Sequence, residues 1–223
     1  MRKIASSLVF PVSSPPLRNA IVEIDDDGVI MAVDQGVQSF KEKSGVEFYS
    51  GILLPGLADV MCGDRDSHWL LARGIRVAGR VGAAATGTLT GNDETARSSW
   101  KSLYGGAVDY RVFRNMEQFM RCFTPGESAG IFHAPGREGK LPVLASFGRL
   151  DLVELMFRLQ EGPGKLSLPF LLSMATINGA VAMDCDRLTG SLLPGKQPGL
   201  NIIEGADINN MRLLPGSRLR RLQ

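Results

Sequence analysis

Ile-Leu-Leu-Pro-Gly-Leu-Ala-Asp-Val-Met-Cys-Gly-Asp-Arg-Asp-Ser-His runs from Ile52 to His68. An apolar run ends at Pro55-Gly56, and a second, Leu57–Met61, follows at once. Cys62, Asp64, Asp66 and His68 then crowd together at the expected end of a strand. In parallel α/β architectures the carboxyl ends of strands are where reacting groups collect.

Upstream, Lys3–Val12 reads as a strand, and Asn19–Ile24 and Val29–Val33 as a hairpin joined by Asp25-Asp26-Asp27-Gly28. Glycine supplies a positive φ there and aspartate tolerates it. Val46–Ser50 is a further short strand. Downstream, Leu152, Leu155, Met156 and Leu159 mark one helical stripe over 150–161, closed by Gly162-Pro163-Gly164. A second helix over 167–183 starts at Ser167 with Pro169 in its first turn. The middle is less periodic: Trp100–Tyr104 and Val112–Cys122 have helical character, and Gly130–Ala134 reads as a strand carrying His133. The Gly-rich 79–91 lacks the lysine that a phosphate loop needs. No repeat of fixed period is visible.

Composition bounds the answer. The chain has 223 residues, 44% hydrophobic and 22% charged, enough for one large domain or two small ones. A net charge of +2 gives no electrostatic case for nucleic acid or an anionic membrane as partner. Three cysteines, Cys62, Cys122 and Cys185, lie far apart with no CxxC pair, so a reducing cytoplasm is the expected setting. The basic, then apolar start is cut short by Pro11, Pro15 and Pro16, unlike a signal peptide. No apolar run approaches the ~20 residues of a membrane helix.

Leu54-Pro55-Gly56-Leu57 resembles the start of the first barrel strand in the amidohydrolase superfamily. The most similar branch holds the cytosine, guanine and adenosine-type deaminases and the chlorohydrolases. Met174–Ala180, Met-Ala-Thr-Ile-Asn-Gly-Ala, resembles the last barrel helix of that branch. Asp186–Glu204, with Gly190-Ser191-Leu192, Pro194-Gly195-Lys196 and an apolar strand, resembles its closing segment. The resemblance implies an α/β fold: a small discontinuous β-domain from 1–51 and 186–223, and a β/α barrel over 52–185. A complete barrel takes about 250 residues, with ~200 as a floor, whereas 51–185 offers 135. The barrel is therefore expected to be truncated and incomplete. An open sheet leaves edges to cover, so a homo-oligomer is expected. Met211–Leu222 would supply a last strand, with Arg218, Arg220 and Arg221 as a solvated edge.

In that family a His-x-His pair on the first strand holds a catalytic metal. Aligned on Pro55-Gly56, those positions are Met61 and Gly63. A thioether and a bare glycine cannot replace two imidazoles. Leu141–Gly148 resembles the surroundings of the family's late acid–base Asp, yet contains no carboxylate. The expectation is an amidohydrolase-like protein that has lost metal-dependent hydrolysis and keeps a small-molecule-binding or subunit role, with no cofactor. The alternative is a deaminase-type hydrolase of C–N bonds in small cyclic compounds, working through an atypical site. Cys62, Asp66 and His68, with His133, could hold Zn²⁺. Cys62 could pair with either histidine as a thiol–imidazole couple, and Asp64 with Asp66 could act as acid and base. Solvated loop side chains are the competing reading of the same residues. A third reading is a structural product that is stable only as an oligomer.

Overall fold

The computed structural model describes residues 1–34, 45–63, 65, 67–81, 100–103, 108–113, 115–136 and 139–223. Strands β1 (Arg2–Val9), β2 (Leu17–Ile24), β3 (Ile30–Asp34) and β4 (Val46–Pro55) come from the first quarter of the chain. β1 pairs antiparallel with β2 (Arg2 opposite Ile24, Val9 opposite Leu17) and parallel with β4. At the turn into β3, Asp25 Oδ1 accepts from the amides of Asp27 (3.0 Å) and Val29 (2.8 Å).

β5 (Leu57–Asp59), helix α1 (Ser67–Ala72), β6 (Ile75–Val81), β7 (Trp100–Leu103) and β8 (Val108–Phe113) follow. Then come α2 (Met116–Cys122), β9 (Thr124–Pro125), β10 (Ile131–Gly136), β11 (Gly139–Leu144) and α3 (Leu152–Glu161). The chain continues with α4 (Leu168–Ser173), a π-helical turn Met174–Asn178, α5 (Gly179–Ala182), β12 (Leu200–Glu204) and β13 (Arg218–Arg221). β12 and β13 complete the first sheet, whose order is β13-β12-β4-β1-β2-β3, so it draws on both ends of the sequence.

β4 explains the unbroken apolar run. Leu53 faces one core with Ile4, Val22 and Ile202, while Ile52 and Leu54 face another with α3 and α4. A central strand covered on both faces reads as a continuous hydrophobic stretch. Gly51 sits where a Cβ would fall 2.3 Å from the Ile203 carbonyl, at φ +147°, so a side chain there has no room. The buried Ser6 hydroxyl donates to its carbonyl at 2.8 Å, at the β1–β4 register shift.

The second sheet has the order β5-β6-β8-β7, with β5, β6 and β8 parallel and β7 antiparallel to β8. The third is β11-β10-β9, a hairpin with a short third strand. Among the described residues no sheet closes on itself. The fold is thus a mixed α/β arrangement of several sheets.

Three local expectations are corrected. Trp100–Leu103 is an edge strand, not helix, because it pairs with β8. Helix α2 starts at Met116 rather than 112: Val112 and Phe113 belong to β8, and Asn115 Oδ1 caps the helix at the Gln118 amide (2.9 Å). The helix expected over 167–183 changes pitch at Met174–Asn178, where the Thr176 hydroxyl donates to the Leu172 carbonyl at 2.6 Å. Beside that turn, a Cβ on Gly179 would lie 2.6 Å from the Ala58 methyl, so the glycine seats the helix on β5. The Gly-rich 79–91 lies outside the described residues beyond Val81.

Candidate functional site at the carboxyl end of β5

Asp59 ends β5 and has no exposed surface. Residues 60–62 continue from it, held between two neighbours. Val60 N donates to the Leu144 carbonyl (3.0 Å), Phe147 N to that of Met61 (2.7 Å) and Cys62 N to that of Gly79 (2.9 Å). Asp59 Oδ1 accepts from the amides of Met61 (3.1 Å) and Ser146 (3.0 Å). Its Oδ2 accepts from the Ser146 hydroxyl at 2.5 Å, and that hydroxyl accepts from the Gly148 amide at 3.0 Å. Arg65 Nε reaches across to the Gly148 carbonyl at 2.9 Å. One carboxylate therefore fastens the end of β5 to the loop after β11.

Burial pushes the Asp59 carboxyl up to about 6, against the Ser146 and Met61 bonds that favour its ionised form. Desolvation penalises the charged state, and donors offset only part of that. With no surface, this carboxyl cannot touch a substrate; it positions backbone.

The chain on either side of Asp59 packs into hydrocarbon through Ala58, Val60 and Met61. Met61 is buried in a cluster with Phe113 from β8, Phe119 and Phe123 from α2 and its end, and Phe132 from β10. Phe147, after β11, packs on the same cluster. Phe119 stacks on Phe123 with ring centres 4.9 Å apart and meets Phe113 and Phe132 edge-on at 5.4 and 5.5 Å. Phe132 and Phe147 are 5.5 Å apart. These are favourable aromatic separations. Gly63 has φ +65°, and a Cβ there would lie 2.9 Å from the Phe147 carbonyl. Neither Met61 nor Gly63 offers nitrogen or oxygen from a side chain, so this pair does not fit the metal grip that the resemblance implies.

The residues singled out in the sequence are distributed as follows. Cys62 is fully buried, and its thiol faces the Gly63 carbonyl at 3.6 Å. His68 is exposed on α1. His133 is half-buried on β10, on the strand face opposite the buried Phe132 and Ala134. Asp64 and Asp66 lie outside the described residues. Among the described residues no three His, Cys, Asp or Glu side chains come together as a cation site, and no cysteine forms a disulfide. Trp69 is half-buried against the core, with the guanidinium groups of Arg73 and Arg65 over its ring at 4.1 and 4.9 Å.

Asp59 and Ser146 escaped sequence reasoning. The available signal was a lone carboxylate between Leu57-Ala58 and Val60-Met61, which an apolar strand tolerates only with a partner.

No family model matches the chain, and no curated protein matches it. Solved structures similar to it are amidohydrolase-superfamily proteins at low identity. An adenosine deaminase from Xanthomonas campestris with bound zinc is 11% identical over 91% of this chain and 84% of that one, with a TM-score of 0.48. A protein described as a prolidase from Bifidobacterium longum is 13% identical over 97% and 91%, with a TM-score of 0.49. An amidohydrolase from Brucella melitensis is 19% identical over 28% of this chain, with a TM-score of 0.24; this chain spans 13% of its length.

Proposed function

We propose that this chain is an amidohydrolase-like protein of the deaminase and chlorohydrolase branch that has lost metal-dependent hydrolysis and serves in small-molecule binding or subunit interaction. In this reading 1–51 with 186–223 form the β-domain, and 52–185 is what remains of the barrel. The observation that carries it is the burial of Met61 among five phenylalanines, at the position that the resemblance gives to a metal-holding imidazole. A hydrolytic site needs an open coordination position and a path for water; a packed ring cluster provides neither. Ser146 adds support. It lies in the segment that resembles the surroundings of the late acid–base Asp, and its hydroxyl is committed to Asp59.

The test is elemental analysis of the purified chain. Zinc, iron and manganese should each stay well below one equivalent after dialysis, and added Zn²⁺ should not raise the melting temperature. One tightly held equivalent would overturn the proposal in favour of a C–N hydrolase with an atypical site.

A further inference from the structure

Ser146-Phe147-Gly148, between β11 and α3, crosses the end of β5 in a backbone conformation that needs holding. Phe147 has φ +53° and Gly148 φ +66°, two left-handed residues in succession. Glycine takes that region freely. A bulky aromatic does so only where its surroundings force it, and such positions gather at ligand clamps and switches. The holding contacts come from the chain that follows β5. Phe147 N donates to the Met61 carbonyl at 2.7 Å. A Cβ on Gly63 would lie 2.9 Å from the Phe147 carbonyl, and one on Gly148 2.7 Å from the Cys62 carbonyl, so the two backbones lie directly on each other. Two side chains complete the tie: Asp59, on the amide and hydroxyl of Ser146, and Arg65, on the Gly148 carbonyl. Arg65 is exposed, and water replaces it readily; the buried Asp59–Ser146 pair is the latch.

The latch keeps one ring in place. Phe147 is half-buried, whereas Phe113, Phe119, Phe123 and Phe132 are buried. Its ring centre lies 6.3 Å from that of Phe119 and 5.5 Å from that of Phe132. Those are separations at which aromatic rings attract. The least buried ring of the cluster therefore sits on the segment whose backbone is strained. Swinging that segment out relieves the left-handed Phe147 and gives up its ring contacts. A ring from outside restores the contacts without the strain. The cluster is aromatic and hydrocarbon, which suits an uncharged flat ring and leaves an ion unpaired.

We propose that 146–148 is a strap over a closed pocket: the Phe147 ring occupies the place of an uncharged aromatic or heteroaromatic ring from a small molecule, which enters when the Asp59–Ser146 latch releases. A minor open state becomes dominant when a ligand fits it. The proposal rests on the small-molecule-binding half of the reading above and names the chemistry of the ligand.

Indole is the probe, added to the full chain and followed by hydrogen exchange and by calorimetric titration. In the parent, indole should speed exchange at the Phe147 and Gly148 amides, since it holds the strap open; a ligand that merely stiffens the fold slows exchange. Ser146→Ala strips the latch of its hydroxyl donor. It should raise the open population and tighten indole binding about 5- to 100-fold. Phe147→Ala empties the ring's place and should also bind more tightly than the parent. Adding Ser146→Ala to it should then change the affinity little, because no ring is left for the latch to hold. Circular dichroism checks each fold, and Phe147→Ala tests the site without touching the latch if Ser146→Ala does not fold. Phe170→Ala, on an exposed ring of α4, should bind like the parent. Equal affinity of the folded parent, Ser146→Ala and Phe147→Ala, no saturable binding to any of them, or slowed exchange at those two amides would overturn the strap. That failure is separable from the one above. A metal-free chain that ignores indole loses the strap alone, whereas one tightly held equivalent of metal sinks the loss of hydrolysis whatever indole does.

Discussion

Asp59 is the residue on which the β5 end turns, and its physics gives a pH signature. Its folded carboxyl titrates at about 6, against an ordinary aspartate value near ~3.9. Between those limits the folded state holds more protons than the unfolded one. Stability from this group is therefore fully present below about pH 4 and is lost as pH rises through 6. The shift of roughly two units corresponds to about 3 kcal/mol. Urea denaturation between pH 4 and 7.5 should show this decline, superimposed on other titrations, and Asp59→Asn should flatten it. A variant whose stability falls as steeply as the parent's would refute the assignment. Ser146→Ala should cost about 1–3 kcal/mol at pH 7, because it strips the buried Oδ2 of its hydroxyl donor.

At the scale of elements, the aromatic cluster is the joint between β8, α2, β10 and the loop after β11. Phe119 touches four other rings and has no exposed surface. Phe119→Ala should lower stability by about 3–5 kcal/mol, as expected for a large cavity in a packed core. Met61→Leu, which keeps volume, should cost less than about 1.5 kcal/mol. Chemical denaturation of both variants checks the pair, and equal losses would show that Met61 contributes more than filling. These elements also show which parts of the fold a sequence reveals. The β2–β3 hairpin and α3 were legible because their signals are local: an aspartate turn ending in Gly28, and a stripe repeating every three to four residues from Leu152 to Leu159. The Asn115 cap is equally local, but the apolar Val112 and Phe113 just before it, which belong to β8, carry the helical character backward past it. The Asp59–Ser146 bond joins positions 87 residues apart, and the five rings come from segments between 113 and 147. No periodicity announces such contacts, since they exist only once the chain has folded.

For the whole molecule, the decisive feature among the described residues is a parallel arrangement that does not close. β5, β6 and β8 run in one direction, and β7 joins antiparallel at the edge, so the four-stranded sheet ends at β5 on one side and β7 on the other among the described strands. The β5 side is built over: Val60 N donates to the Leu144 carbonyl of β11, Phe147 N donates back to the Met61 carbonyl, and Gly179 seats α5 on Ala58. An edge strand presents unpaired amides and carbonyls, and natural sheets meet that by covering, charging or pairing it. The homo-oligomer expected from the sequence predicts that β7 pairs with a second copy. Because a two-fold axis places like surfaces together, β7 would meet β7 antiparallel and extend the sheet across both subunits. Light scattering at micromolar concentration should then give twice the 24.1 kDa of one chain. Hydrogen exchange at Trp100–Leu103 should slow as concentration rises through the dissociation constant. A single-chain mass with concentration-independent exchange at those amides would leave β7 covered from within its own subunit, and the oligomer would have to be abandoned.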